Sequence, residues 1–384
     1  MTEYSVYSPD LEGYSQQVGR VGDHSKAALS YFNQHTSLSP LTRGLVFGWL
    51  MTTHNRVVSA SQDVFSELSQ KSSESATALK AAARYYRQAD EDAARKADAT
   101  YGDPKRIDRL PAVRQLTTGI INWEDRRVPA HQFKDGVDPQ SKLTPPVAPE
   151  MSPVTKLLKN PFGVLDYFSP TNAVLEVWKL LGFTDPIDEY VKVLGGDWEA
   201  VHKAGTAMIN IADCIGAISS NIDYGNRSLD ESWHGRAADA SFQYFSTLHA
   251  ILNRQATEFK QLGQGYRQVA EAMWQLADTG GSLIKGMIDT AVIVALAAST
   301  AGAGVAAAET GVGAIVAVIA SGTCAWEIFV LWQKYTKLTA LLNVGASTWN
   351  IIRGLGNMAL AQKSLPRELG LPASAYSHPA LAKK

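Results

Sequence analysis

The chain has 384 residues, of which 45% are hydrophobic, and its 36 basic and 37 acidic side chains leave a formal net charge of −1. This balance argues against a general electrostatic grip on nucleic acid or on an anionic membrane. The length is sufficient for one large domain or for two to three modest ones. Cys214 and Cys324 lie far apart in apolar helical patterns. We predict that both are buried thiols, because a disulfide framework or a metal site would need more partners at short spacing.

Residues 1–98 predict a first antiparallel helical hairpin. Apolar side chains recur at helical spacing through residues 11–34 and again through residues 45–98, which is typical of amphipathic helices that need a partner. Between them, Ser39-Pro40 and a glycine predict a turn. Residues 1–9 have neither a basic flank nor an apolar core, so we do not expect a cleaved secretory signal peptide, and export would need another route.

Near the end of the second helix, Tyr86 and Asp90 are separated by one helical turn and share a face. A phenol ring and a carboxylate displayed together near a helix end make a compact patch that another protein could read. The other interpretation is a solvated charge run beside a packing tyrosine. A Tyr-x-x-x-Asp match alone arises often by chance.

This region resembles the EspC-like family of actinobacterial type VII (ESX) secretion substrates. The likeness runs from Thr53-His54-Asn55-Arg56-Val57-Val58 through Ala81-Ala82-Ala83-Arg84-Tyr85-Tyr86-Arg87-Gln88-Ala89-Asp90-Glu91. That family is a small helical hairpin followed by a Tyr-x-x-x-Asp/Glu export signal, so the resemblance implies that Tyr86 and Asp90 form the secretion signal. The family normally ends soon after the signal, whereas this chain continues to residue 384.

Residues 99–194 predict a proline-rich connector with short helices. Prolines recur from Pro104 to Pro153, and at this density they prevent long helices and favour extended segments. Ile120, Trp123 and Phe133 are costly to leave exposed, so we expect this linker to lie against the helices. A disordered tether is the alternative.

A second antiparallel helical hairpin is predicted over residues 195–280. Asp197 is a suitable N-cap for a helix that reaches about Tyr224, residues 224–231 predict a polar turn, and a second helix follows until Gly280-Gly281. At the start of this second helix stands Trp233-His234-Gly235, which we call the hinge. Trp233 can plug the end of the hairpin with a large apolar surface. Gly235 has the backbone freedom for a tight turn.

This second segment is similar to the WxG family of type VII secretion proteins, small helical hairpins that dimerise into four-helix bundles. The likeness covers roughly residues 197–280 and includes the run Arg236-Ala237-Ala238-Asp239-Ala240-Ser241-Phe242 after the hinge. At the far end, Trp274 and Asp278 form a second aromatic-acid pair that keeps the expected spacing but lacks the phenol. The alternative is a chance Trp-x-Gly tripeptide.

Residues 281–355 predict apolar helices rich in glycine and alanine, and residues 356–384 predict a flexible tail. Residues 290–308 and 310–326 carry no charge, and each run is about the length of a membrane span. Small residues between them allow a tight helical hairpin, namely Gly302, Gly304, Gly311 and Gly313. One interpretation is a hairpin buried against the bundle, which the intervening Glu309 favours. The other is a segment that enters a bilayer after export.

Taken together, the patterns predict an all-α protein with two antiparallel helical hairpins, like a four-helix bundle. We find no catalytic constellation, metal-ligand spacing or cofactor motif. The resemblances imply a type VII secretion substrate or effector-trafficking protein, secreted or held at the cell surface. Its partners would be the secretion machinery and a small WxG-type or other helical protein, or a toxin. We also expect possible contact with a membrane, and we do not expect binding to nucleic acid. The alternatives are a membrane-inserting, pore-like effector and a cytoplasmic helical scaffold that is not exported.

Overall fold

The computed structural model describes residues 5–39, 44–88, 96, 133–302, 311–348, 350, 352–354, 357 and 375–377. In these ranges the chain is all-α, as predicted, and its strands are limited to β1 (Ser5–Val6) and β2 (Trp233–His234). The helices are α1 (Ser8–His35), α2 (Leu45–Gln88), α3 (Pro153–Leu157), α4 (Pro161–Phe168), α5 (Asn172–Leu180), α6 (Pro186–Leu194), α7 (Trp198–Asp230), α8 (Arg236–Gly302), α9 (Gly311–Ser321) and α10 (Ala325–Ser347), with a 3-10 turn at Pro139–Lys142.

Helices α1 and α2 pack side by side and run in opposite directions. Ser15 Oγ donates to the carbonyl of Ala76 at 2.8 Å near one end of the pair, and Gln62 donates to Asn33 at 3.0 Å near the other. The apolar positions of both helices are buried against one another and against the helices beyond them. Of the predicted continuation of α2 to residue 98, only residue 96 is described.

Helices α7 and α8 form a second antiparallel pair, and the predicted N-cap is confirmed because the Asp197 side chain accepts from the Ala200 amide at 3.1 Å. The polar turn predicted at residues 224–231 is wrong, since α7 continues to Asp230. The polar side chains in this stretch find partners within the helix pair instead of bending the chain. Asn226, for example, is buried and donates to the carbonyl of Phe242 at 3.0 Å.

Helix α8 does not end at Gly280-Gly281, as the glycine pair predicts, but continues to Gly302. The structure shows why glycine is needed there. A Cβ at Gly280 would lie 2.8 Å from Tyr190 of α6, and one at Gly281 would lie 2.9 Å from Val154 of α3. The glycines therefore permit close contact between helices, and the predicted division at residue 280 lies inside one helix.

The two helix pairs share one hydrophobic core. Between α1 and α7, the hydroxyl of Tyr14 donates to the carbonyl of Ile222 at 3.3 Å. Between α2 and α8, His54 Nδ1 lies 3.0 Å from the hydroxyl of Tyr266. Further along the same pair, the rings of Phe65 and Phe259 have centroids 5.6 Å apart.

Residues 133–147, which we call the strap, cross the surface formed by α1 and α7. Side chains of both helices bind the strap mainly through its backbone. Asn221 donates to the carbonyl of Val137 at 2.8 Å and accepts from its amide at 3.3 Å. Tyr31 donates to the carbonyl of Thr144 at 2.6 Å. This part of the connector lies against the helices, as expected, while Ile120 and Trp123 lie outside the described residues.

The carboxylate of Asp135 fixes one end of the strap to α1. It accepts two hydrogen bonds from Arg20, at 2.9 and 3.0 Å, and lies 3.1 Å from His24 Nε2. Burial alone would raise the pKa of Asp135, but the hydrogen bonds from His24 and Arg20 outweigh it and lower the pKa to about 2. The strap is thus held by an ionised carboxylate at neutral pH.

The carboxyl-terminal part adds α9 and α10 to the far half of α8. Lys334 of α10 donates to the carbonyl of Gly286 at 2.7 Å and to the hydroxyl of Thr290 at 2.9 Å, which fixes the register of the two antiparallel helices. Cys214 and Cys324 are free and buried, as predicted. The expectation of a flexible tail is wrong at Tyr376, which is buried beside Phe245 with ring centroids 6.1 Å apart.

Candidate functional site

The hinge is covered by the residues that precede α1. Strand β1 pairs antiparallel with β2, so that Val6 faces Trp233 and Ser5 faces His234. The ribbon continues with the Tyr7 amide, which donates to the carbonyl of Ser232 at 3.1 Å. This contact joins the amino-terminal segment to the turn between α7 and α8. Sequence reasoning missed it because two-residue strands have no readable periodicity.

Trp233 is buried, with 1% of its surface exposed. Leu229 of α7 and Phe242 of α8 line the same narrow space as the indole, so the side chain closes the end of this helix pair. Gly235 has a φ of +122°, a conformation that strains any residue with a Cβ. The Trp-x-Gly pattern therefore has a direct structural basis at both positions.

Tyr86 lies on Trp233. The two ring centroids are 6.1 Å apart and the planes meet at 69°, an edge-to-face arrangement. The expectation that the Tyr86 phenol is displayed on the helix surface is wrong, because only 8% of this residue is exposed. Asp90 lies outside the described residues. The structure thus joins the aromatic residues of the two sequence motifs, one from each helix pair.

The solvent side of the end of α2 is basic. Arg84, Arg87 and Gln88 are exposed there, and Arg87 pairs with Glu12 of α1 at 3.0 Å. An exposed ion pair of this kind contributes little to stability. Within the described end of α2, Arg84, Arg87 and Gln88 are therefore the exposed side chains, and Tyr86 between them is buried.

Two buried polar atoms at the hinge have no hydrogen-bond partner within the described part of the chain. They are Trp233 Nε1 and Ser241 Oγ, and both residues line the same narrow space. Asp230 lies at its edge, where burial raises the pKa of its carboxyl, with His234 opposing the shift. Leaving buried donors and acceptors unsatisfied is costly, so these two atoms do not stabilise the hinge. Its stability comes from the apolar packing of Trp233 and from the β1–β2 ribbon.

The second aromatic-acid pair, Trp274 and Asp278, lies elsewhere on α8 and is engaged in contacts within the chain. Trp274 stacks on His202 of α7, with ring centroids 5.2 Å apart. Asp278 accepts hydrogen bonds from Thr155, at 2.9 Å, and from Ser152, the N-cap of α3. These contacts anchor the connector helix α3 to α8.

Of the four glycines predicted to form an apolar hairpin, Gly302 ends α8, Gly311 begins α9, and Gly313 lies within α9. Gly304 and the rest of the turn lie outside the described residues. In the part of the chain that the structure describes, no group of His, Cys, Asp or Glu is placed to hold a metal ion. Burial raises the pKa of the Cys214 thiol to about 12, which disfavours its reactive thiolate.

The chain was compared with family models, with curated proteins and with solved structures, and none of the three comparisons finds a match. The candidate site therefore stands on its geometry: Tyr86, the hinge and β1 at one end of a helical bundle.

Proposed function

We propose that this protein is a type VII (ESX) secretion substrate or effector-trafficking protein, exported as a folded helical bundle and acting through protein contacts and not catalysis. The observation that carries the proposal is the contact between Tyr86 and Trp233. Each of these residues belongs to a motif that resembles a different type VII family. The contact supports the proposal because a composite signal requires the two motifs to lie at the same end of the bundle.

Packing of the helices supports export as a single chain. The apolar face of the α7–α8 pair is covered by α1 and α2 of the same molecule, through contacts such as Phe65 with Phe259. WxG-type hairpins bury that face against a second small protein. Here the first hairpin supplies the cover, so a separate helical partner or a toxin would bind elsewhere on the bundle.

The proposed signal is read at the end of α2, where recognition depends on the docked state. Arg84 and Gln88 are exposed beside the buried ring of Tyr86. If the first hairpin separates from the hinge, the position of this helix end changes. Export would then select molecules in which Tyr86 is packed on Trp233.

A secretion assay in an actinobacterial host with a type VII system tests the proposal. Tyr86→Ala, Asp90→Ala and Trp233→Ala are expected to accumulate inside the cell and to be lost from the culture medium. Tyr86→Phe is expected to retain more secretion than Tyr86→Ala, because its ring can still pack on Trp233. Trp274→Phe is the matched control, since this aromatic residue lies away from the hinge, and its secretion should be unchanged.

Each variant is checked for folding by circular dichroism of the protein purified from the cells. Undiminished secretion of Tyr86→Ala and Asp90→Ala would contradict the proposal that these residues form the secretion signal. Absence of the wild-type protein from the medium, despite export of a known substrate of the same host, would favour the cytoplasmic scaffold.

A further inference from the structure

The buried side of α2 is interrupted by a run of small polar residues. Between Leu68 and Leu79, every buried position of this helix is a serine, namely Ser69, Ser72 and Ser75. Before and after this run, the buried side carries large apolar residues. Serine side chains fill less space than those residues, so the run narrows α2 at this level.

Rings from α2 and α8 meet directly on either side of the serine run. The centroids of Phe65 and Phe259 are 5.6 Å apart on one side, and those of Tyr86 and Trp233 are 6.1 Å apart on the other. At the level between these two contacts, α2 has no buried ring to place against α8.

Helix α8 is aromatic at this level. The hydroxyl of Ser75 donates to the hydroxyl of Tyr244 at 3.3 Å, which fixes the two helices at this height. Phe245 follows Tyr244 and is fully buried, and the two rings lie edge to face with centroids 4.9 Å apart. A small side chain on one helix opposite two rings on the other leaves room for a further ring. We call this place, formed by Ser75, Tyr244 and Phe245, the serine notch.

Residues 375–377 fill the serine notch. The first and last of these residues are half-buried and exposed, and Tyr376 between them is buried, so the segment inserts one side chain. The ring of Tyr376 has its centroid 6.1 Å from those of both Tyr244 and Phe245. The amide of Tyr376 donates to the hydroxyl of Ser75 at 3.2 Å.

The chemistry of the serine notch indicates what it recognises. Ser75 uses both functions of its hydroxyl, because it accepts from the backbone of the segment and donates to Tyr244. A backbone amide is common to nearly all residues, so this bond places an extended peptide without selecting its sequence. Selection comes from the two rings of α8, since aromatic side chains pack favourably on one another.

We propose that the serine notch is a peptide-binding site for a single aromatic residue, and that residues 375–377 of this chain occupy it as a releasable latch. The latch inserts one side chain, whereas the long helices on either side bury many. Segments with few buried contacts open at a much lower free energy than the whole fold. Release therefore leaves the helices intact and makes the notch accessible to a peptide of the same kind. This inference goes beyond export and does not rest on it.

Fluorine NMR of a synthetic peptide tests the proposal. The peptide has the sequence of residues 371–381 and carries fluorine on its tyrosine ring. It is added to the full-length wild-type protein and to full-length Tyr376→Ser, whose latch has lost its ring. The fluorine signal is expected to broaden and shift with Tyr376→Ser. The dissociation constant for the wild-type protein should be at least about tenfold higher, because the tethered segment competes at a high effective concentration.

Two further substitutions, each combined with Tyr376→Ser, test the contacts of the notch. Ser75→Ala is expected to weaken peptide binding about fivefold, because the acceptor for the peptide amide is lost. Ser72→Ala is the matched control and should leave binding unchanged. Ser72 is equally buried on the same helix, but its hydroxyl has no hydrogen-bond partner among the described residues. An unlabelled peptide carrying Tyr376→Ser should fail to displace the labelled one.

Tyr376→Phe keeps a ring in the latch and should exclude the peptide more strongly than Tyr376→Ser does. Absence of binding to Tyr376→Ser, equal binding to the wild-type protein, or equal effects of Ser75→Ala and Ser72→Ala would overturn the proposal. Loss of helicity in Tyr376→Ser, measured by circular dichroism, would also overturn it, because a segment that cannot leave without unfolding the helices is not a latch.

Discussion

The phenol of Tyr86 shows how a residue can belong to a motif and still be inaccessible. Its ring is packed on Trp233 and is almost fully buried. A partner that recognises this end of the molecule therefore senses the tyrosine through the position of α2 and its exposed side chains. Under the proposed function, Tyr86 acts as a positioning residue for the helix end, and the carboxylate of Asp90 is left as the group for direct contact.

His54 gives the core a defined pH dependence. It is buried between α2 and α8 beside the Tyr266 hydroxyl, and burial, opposed in part by the backbone of Thr36, lowers its pKa from 6.5 to about 4. Because the folded pKa lies below the unfolded one, the unfolded chain binds more protons, and stability falls as the pH decreases from about 6.5 to about 4. The shift corresponds to about 3 kcal/mol.

Urea unfolding at pH 7.5 and at pH 4.5 tests this expectation. Wild-type protein should lose more stability between the two values than His54→Gln, which has no proton to gain at this position. Equal losses in the two proteins would contradict the assignment to His54. The buried histidine His202, whose pKa is also lowered by burial, provides the background that both proteins share.

At the scale of elements, the continuity of α8 depends on two glycines that the sequence alone marks as a helix end. Gly280 lies against Tyr190 of α6, whose hydroxyl donates to the carbonyl of Ala277 at 2.8 Å. Adding a methyl group at Gly280 must displace this ring. The close approach between α6 and α8 thus outweighs the low helix propensity of glycine.

Gly280→Ala is therefore expected to destabilise the protein by about 1–3 kcal/mol, as overpacking does in well-packed cores. The control is Gly216→Ala in α7, where a Cβ would meet nothing within 4 Å; there the better helix propensity of alanine should leave stability equal or higher. The midpoints of urea unfolding measure the change in stability of both variants. The account fails if the two variants behave alike, and Tyr190→Leu should restore part of the loss in Gly280→Ala.

The sequence predicts long amphipathic helices well, since the apolar periodicity of α1, α2, α7 and α8 extends over many turns. It also predicts the Asp197 cap, whose signal is local. What it misses is decided by tertiary contact: the glycines against Tyr190 and Val154, the partners that keep Asn226 in a helix, and the burial of Tyr376. For the candidate site, both aromatic residues were found, but their contact with each other and with β1 was not.

At the scale of the whole molecule, the strap ties the two helix pairs together. It is bound by Arg20, His24 and Tyr31 of α1 and by Asn221 of α7. Each of these hydrogen bonds contributes modestly by itself, but together they connect α1 of the first helix pair to α7 of the second. The carboxylate of Asp135 makes the strongest of these contacts, because it is ionised and accepts two hydrogen bonds from the cationic side chain of Arg20.

Asp135→Asn is expected to lower the free energy of unfolding by about 1–2 kcal/mol, since charge-assisted hydrogen bonds are lost. Asp23→Asn on the same helix as Arg20 is the control, because its pair with Lys26, at 3.8 Å, is largely exposed and should contribute little. Urea unfolding at pH 7 distinguishes the two. A loss in Asp135→Asn no larger than that in Asp23→Asn would show that the strap does not fasten the helix pairs.

The β1–β2 ribbon also sets an order of events during synthesis. Ser5 and His234 meet although 229 residues separate them along the chain. At a ribosomal rate of roughly 5–20 residues per second, the amino-terminal strand waits roughly 10–45 s for its partner to be translated. A chain that stalls or is truncated before Trp233 has α1 and α2 but cannot form their contact with the hinge. Under the proposed function, only a molecule synthesised past Trp233 has the complete secretion signal. The ribbon would therefore exclude unfinished chains from the secretion pathway.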